Sequence, residues 1–355
     1  MSNMRRTFAL LLALPLGSLA AAQSFDCKLA QSPREKIVCA DTRLSALDAE
    51  ITANYKALRA QLSPDSAALV MADQQEWLHW LDLVCPANGK GAAANHTQCL
   101  QQQYFTRAHD LAKDKITHLG NTVIFIRSHF LYKPGAATTN PISPGFGYGA
   151  LRWPQIDKPN AAQTTWNSAV KTRAAQLAVG FSNTQNATFD TAVDPAGVID
   201  AYFTIAAAND RLIDTTFIDG TYSWGAAHPI SGSTSFLWWL GPARELTTTD
   251  IFWNDSGWQQ KIVPLAIASL NANAEIKNML WKGDELTKAV RSAVPEPANW
   301  TPTRDGLTIT FGQYAVGPYV IGMPQAHIPW TQLSPLLAHT FNPAALPSPV
   351  PKSNP

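Results

Sequence analysis

The sequence predicts an α+β protein: a small disulfide-stapled helical N-terminal domain followed by an α+β domain with a largely antiparallel sheet. Three observations predict it. The four cysteines of the 355-residue chain fall at 27, 39, 85 and 99, among apolar stripes of helical period. From about residue 190 the apolar residues come instead in alternating runs separated by turn signals. A helix-like stretch then interrupts those runs before strands resume, the order expected of an α+β domain.

The first element is a targeting segment. Residues 1–22, "MSNMRRTFALLLALPLGSLAAA", combine Arg5 and Arg6, an apolar run from Phe8 to Leu16, and the small residues Ala20, Ala21 and Ala22. That is the three-part pattern of a cleaved secretory signal. The apolar run is too short to span a bilayer comfortably, and no later segment reaches a spanning length. The mature chain is therefore expected to be periplasmic or secreted, and soluble rather than membrane-embedded. A cleavage point without cysteine argues against a lipid anchor.

Export sets the reading of the cysteines. In an oxidising compartment four cysteines form disulfides, and the spacings C-x11-C and C-x13-C match neither a redox C-x-x-C site nor a zinc knuckle. The local pairing, Cys27 with Cys39 and Cys85 with Cys99, is the first expectation; cross-pairing stays open, since four cysteines allow three connectivities.

Within this region Ser32-Pro33-Arg34-Glu35 reads as a capping box with proline at the first helical position. Ile37, Leu44, Leu47, Ile51, Tyr55 and Leu58 continue one apolar stripe from it. Ser63-Pro64-Asp65 opens a second helix carrying Val70, Met71, Trp77, Leu78, Leu81 and Val84 on one stripe and ending near Cys85-Pro86. A third stripe holds Leu100, Tyr104, Ala108 and Leu111. Three amphipathic helices with short links make a domain over residues 23–118.

Residues 119–189 read as a connecting segment, open to inclusion in the second domain: a β-like run "NTVIFIRSHFLY", a proline- and glycine-rich loop "KPGAATTNPISPGFGYGALRWP", and a helical piece at 160–179. The second domain, 190–340, contains the strand-like runs "GVIDAYFTIAAA", "LIDTTFIDGTYSW" and "GSTSFLWWL", the more helical "SLNANAEIKNMLWKGDELTKAVRSAV", and the strands of "GLTITFGQYAVGPYVIGMPQAHIPW". Residues 341–355 read as a mobile tail.

The cysteine framework resembles a known family. "CKLAQSPREKIVCADTRLSALDAEITANY", through Cys27, Ala30, Glu35, Cys39, Leu44, Leu47, Asp48 and Tyr55, is similar to the N-terminal domain of the LprI-type lysozyme inhibitors. Gln74, Trp77, Leu78, Cys99, Leu100, Tyr104 and Arg107 extend the match over about 25–112. Gln75 and Leu81 stand where that family often carries basic residues. A second resemblance, over about 195–337, is to the C-terminal domain of the lysozyme-sensing anti-sigma factor RsiV. It rests on Gly225, Ala227 and His228, then Leu246, Thr247, Asp250 and Phe252, and finally Tyr314, Val316, Pro318, Tyr319, Gly322, Ile328, Pro329 and Leu333, with Ala226 in place of a family glycine.

The two resemblances imply lysozyme as the partner: an exported protein that binds or inhibits lysozyme by stoichiometric protein–protein contact. The alternative is a non-catalytic envelope module binding peptidoglycan. Charge bears on both. Residues 119–189 hold six basic and one acidic residue, whereas 190–307 hold eight basic and fourteen acidic, a field that suits a cationic partner. With a formal net charge of +1, no polybasic character points to nucleic acid.

His228, beside Gly225, is the candidate donor for a partner's carboxylates, against the plainer reading of a turn histidine bonded to its own backbone. Trp238 and Trp239, with Trp253 and Trp258, are candidates for stacking a sugar, although in an alternating strand one of the adjacent two should face the core. Asp250, Asp255, Asp284 and Glu285 form no recognisable glycosidase pair from sequence. There is no H-E-x-x-H, no G-x-S-x-G and no metal-ligand spacing of histidines, so no catalytic residue, metal or cofactor is assigned and the chain is not read as an enzyme.

Overall fold

A computed structural model describes residues 24–87, 96–112, 116–135, 143–179 and 197–348. The expected signal segment and the end of the expected tail lie outside these residues.

The N-terminal region holds four helices, α1 (Pro33–Ala40), α2 (Thr42–Ala60), α3 (Pro64–Val84) and α4 (His96–Asp110). The capping box forms as expected. Ser32 Oγ accepts from the Glu35 amide at 3.1 Å, and the Glu35 carboxylate accepts from the Ser32 amide at 2.8 Å. The single first helix expected from the stripe 37–58 is instead broken at Asp41, which adopts φ −103°, ψ 117°. There its carboxylate accepts from the Leu44 amide at 2.8 Å and from Gln101 Nε2 of α4 at 3.0 Å. A short acidic side chain that satisfies a helix start competes with continuing the helix. The disulfides are the local ones, Cys27–Cys39 and Cys85–Cys99, with Cα separations of 5.8 and 5.7 Å.

A seven-stranded sheet follows in sequential order: β1 (Thr117–Leu119), β2 (Thr122–Pro134), β3 (Phe146–Ile156), β4 (Gly197–Ala208), β5 (Leu212–Ser223), β6 (Ile230–Trp239) and β7 (Arg244–Glu245). All neighbours are antiparallel except β3 and β4, whose parallel pairing requires a crossover. That crossover includes α5 (Ala161–Val179). The stretch 146–154, expected as loop from its glycines and prolines, is therefore strand. Burial of Leu151, Trp153 and Ile156 outweighs the local turn signals. Pro154 is tolerated because β3 pairs with β4 only from Tyr148 to Leu151 and has one neighbour beyond.

The C-terminal part adds α6 (Thr248–Ile251), α7 (Trp258–Ala272), α8 (Gly283–Ala293), a three-stranded antiparallel sheet of β8 (Trp300–Thr303), β9 (Gly306–Thr310) and β10 (Gln325–Pro329), and α9 (Trp330–Leu333).

One face of the large sheet is covered by α5, whose Trp166, Val170 and Ala174 pack with Ile213, Phe217, Phe236 and Trp238. The opposite face carries two layers. Over β2 and β3, the helices' Trp77, Trp80, Leu81 and Tyr104 share one core with Phe125, Phe130, Phe146 and Ala150. Over β5 and β6, Leu212 and Leu237 join the C-terminal core of Phe252, Trp258, Ile262 and Trp300. The strand registers place Leu212 and Leu237 on the same side as Arg152 and Asp200.

Helix α3 also closes an open sheet edge. Asp73 accepts from the Ser128 amide at 3.0 Å, Glu76 from the Phe130 amide at 2.7 Å, and Trp80 Nε1 donates to the Leu131 carbonyl at 2.7 Å. Side chains on successive turns thus satisfy backbone groups of β2 that no strand meets. The first half of the expected mobile tail is anchored: Leu346 is fully buried, and its carbonyl accepts from Arg304 Nε at 2.9 Å.

Candidate functional site

Two segments about ninety residues apart meet at the end of the β5–β6 hairpin. The first is the turn Trp224–Pro229. Gly225 takes φ +90°, a left-handed region glycine enters without strain, and the Ala226 amide closes the turn on the Ser223 carbonyl at 2.9 Å. Ala226 itself has no positive φ, so alanine is accommodated where the resembled family carries glycine.

The second segment is the loop between β9 and β10. Val316 is fully buried and its carbonyl accepts from the Trp281 amide at 2.9 Å, which anchors the loop from below. Gly317 is required by close approach: a Cβ there would lie 2.9 Å from the Met279 carbonyl oxygen. Tyr314 holds φ +64° despite its side chain. A left-handed tyrosine is uncommon and marks a backbone held by its surroundings.

These anchors deliver a compact aromatic knob. The His228 and Tyr319 rings lie 4.1 Å apart at 33°, and Tyr314 Oη meets His228 Nε2 at 3.3 Å. Tyr319 Oη donates to the Pro229 carbonyl at 3.2 Å, and the Ser231 amide donates to Gln313 Oε1 at 2.8 Å. His228 Nδ1 sits 3.0 Å from the Pro229 carbonyl, the self-bonded turn geometry that the plain reading anticipated. Around the knob Tyr314 is 47% exposed, Ile230 56% and Val320 74%. An apolar cluster rimmed by hydroxyl and imidazole groups is a surface suited to contact with another macromolecule.

The other candidates fare differently. Trp238 is buried in the core beneath α5, and Trp239, half-buried, packs against the C-terminal core on the opposite face. Trp258 is buried against Phe252, with ring centroids 4.7 Å apart, whereas Trp253 is exposed. Asp250 is structural: it accepts both Arg244 Nη atoms, at 2.7 and 2.6 Å, and caps α6 through the Thr247 amide at 2.8 Å. Partial burial pushes its carboxyl up, but the Arg244 and Thr247 hydrogen bonds outweigh it and hold the group at about 2. The carboxylate is held in its ionised form by these bonds. Tyr314 and Tyr319 carry the second resemblance but were not among the candidate binding residues, and their meeting with His228 was not legible because nothing local joins the segments.

Residues 27–111 match the family described as Lysozyme inhibitor LprI, and residues 249–331 match Protein of unknown function DUF3298. The chain carries an LprI domain followed by a DUF3298 domain. Phe252, Tyr314, Tyr319 and Ile328 of the second resemblance fall inside the DUF3298 match, while the His228 turn precedes it. Two solved structures align with 63% of this chain and 96% of their own: a DUF3298 family protein from Pseudomonas aeruginosa PAO1 and a member of that family from Bacteroides fragilis NCTC 9343. Their identities are 13% and 15%, each with a TM-score of 0.43. No curated protein matches the chain. Among the described residues, no helix is long and apolar enough to cross a membrane, and no group of His, Cys, Asp or Glu is arranged to hold a metal ion.

Proposed function

We propose that this is an exported, non-catalytic protein that binds and inhibits lysozyme by stoichiometric contact, after cleavage of residues 1–22. The match of residues 27–111 to the lysozyme-inhibitor family, on a framework with both its disulfides formed, carries the reading. Disulfides of this kind belong to an oxidising compartment, the periplasm or the exterior. The contact surface in this proposal is the DUF3298-side knob of His228, Tyr314 and Tyr319, with Ile230 and Val320 at its margin. In this proposal the histidine and tyrosine groups exchange their internal hydrogen bonds for the catalytic carboxylates of the cleft, and the acidic 190–307 segment favours encounter with a cationic enzyme.

The test is lysozyme activity titrated with the mature, oxidised protein. Inhibition saturating near equimolar protein is expected, and Tyr319→Ala is expected to weaken it by about tenfold or more, the loss typical of a central aromatic anchor. Absence of binding at low ionic strength, where steering is strongest, overturns the proposal. Peptidoglycan binding through tryptophans has less support, since of the four candidates Trp238 and Trp258 are buried and Trp239 is half-buried against the core, which leaves Trp253 as the exposed one.

A further inference from the structure

A cavity of about 200 Å³ lies between the LprI helices and the sheet, walled by α3 and α4 above and by β3 and β4 below. It shares no residue with the knob. Three charged side chains on its wall are more than nine-tenths buried: Arg107, Arg152 and Asp110. Two of the three are matched. Arg152 Nε donates to Asp110 at 2.5 Å and Nη1 to Asp200 at 2.6 Å, so this guanidinium lies between two carboxylates, which hold its pKa above the usual arginine value against the opposing effect of burial.

Arg107 is different. It is 2% exposed, and among the described residues its partners are neutral: Nε donates to Gln74 Oε1 at 2.9 Å and Nη1 to Ser128 Oγ at 3.3 Å. Its guanidinium lies 5.9 Å from the centre of the Trp77 ring and 5.5 Å from that of Phe130. A guanidinium has five N–H donors, so three remain, including the pair on Nη2. Burial lowers its pKa to about 10, an effect that the carboxylates of Asp110 and Asp73 only partly offset. The group is still charged at neutral pH. A buried cation without a paired anion is costly, and a planar fork is the side chain best shaped to take a carboxylate from two N–H groups at once.

We infer that this cavity binds the carboxylate of a small organic anion, a free carboxylic acid or a peptide C-terminus, on Arg107. The aromatic rings of Trp80 and Tyr148 would flank the ligand's apolar part, and the exposed Gln102 and Asp200 stand at the mouth. A volume of about 200 Å³ admits a two-residue peptide end at most, below the size of ordinary drug-sized pockets. The inference is independent of the lysozyme reading.

The test is calorimetric titration of the oxidised full chain with N-acetyl-alanyl-alanine, its C-terminal amide, and acetate. Saturable binding of the acid without binding of the amide is expected. Acetate binding as tightly as the peptide identifies a free small acid as the ligand; peptide binding alone identifies a chain terminus. Arg107→Lys, which keeps the charge but not the fork, is expected to weaken binding by about tenfold or more. Should that variant fail to fold, Val198→Trp fills the cavity from β4 and is expected to abolish binding while the melting transition persists. The inference is overturned if neither acid saturates the protein by about 10 mM, if the amide binds as tightly as the acid, or if a folded Val198→Trp variant binds like the parent.

Discussion

Asp214 is the residue most at odds with its surroundings. It lies on β5 and is fully buried between the large sheet and the C-terminal layer, where Thr216 Oγ1 donates to Oδ1 at 3.4 Å and Thr301 also favours the ionised form. Burial raises its pKa from 3.8 to about 8, against the opposing hydrogen bonds of Thr216 and Thr301. Below pH 3.8 the carboxyl is protonated in both folded and unfolded chains, and its ionisation does not affect stability. Between 3.8 and about 8 only the unfolded chain releases the proton, so stability falls by about 1.4 kcal/mol for each pH unit. Above about 8 the loss levels off. Asp214→Asn removes the titration and is expected to raise the melting temperature more at pH 8 than at pH 5; parallel pH profiles of variant and parent would count against it. Nothing in "LIDTTFIDG" discloses this. An aspartate in an alternating run reads as solvent-facing, and only the C-terminal layer arriving on that side buries it.

At the scale of elements, what was legible was local. Ser32 and Ser63 announce the starts of α1 and α3, and both side chains accept from amides three residues on, at Glu35 and Ser66. The local pairing of the cysteines was the first expectation, with cross-pairing open, and the local bridges are those that form. The break at Asp41 was not legible, because the stripe 37–58 runs through it; the use of Asp41 to hold Gln101 of α4 is a contact across 60 residues. The sealing of β2 by Asp73, Glu76 and Trp80 was hidden for the same reason. Helix α1 is too short to persist alone. Its supports are the capping box, the Cys27–Cys39 bridge, and Arg34, which donates to the Leu78 carbonyl at 2.9 Å and to Asp82 at 2.5 Å. Replacing both Cys27 and Cys39 by serine is expected to cost about 2–4 kcal/mol in urea denaturation, the range for a bridge closing so short a loop. Hydrogen exchange should rise first in α1. An unchanged midpoint would show that the other supports suffice.

For the whole molecule, the decisive feature is that the core of the LprI helices is continuous with that of the sheet. Trp77, Trp80 and Tyr104 share theirs with Phe125, Phe130 and Ala150 of the sheet. Polar contacts reinforce the join: Arg127 forks onto both oxygens of Asp73 at 2.8 Å, and Ser63 donates to Asp157 through its amide at 3.1 Å and through its hydroxyl. Arg152 spans from Asp110 on α4 to Asp200 on β4. Two family matches in one sequence suggest modules joined by a linker, but residues between them supply β2 and β3, the strands on which the helices sit. Helices and sheet should therefore melt together, with far-ultraviolet dichroism and tryptophan fluorescence tracing one transition. Asp110→Asn keeps the side-chain shape but removes one charge from a buried pair, a change expected to destabilise by up to about 3–5 kcal/mol. It should move both signals equally. If the amides of α1 to α4 lost their hydrogen-exchange protection while those of β4 to β6 kept theirs, the join would be a contact between independent domains rather than a shared core.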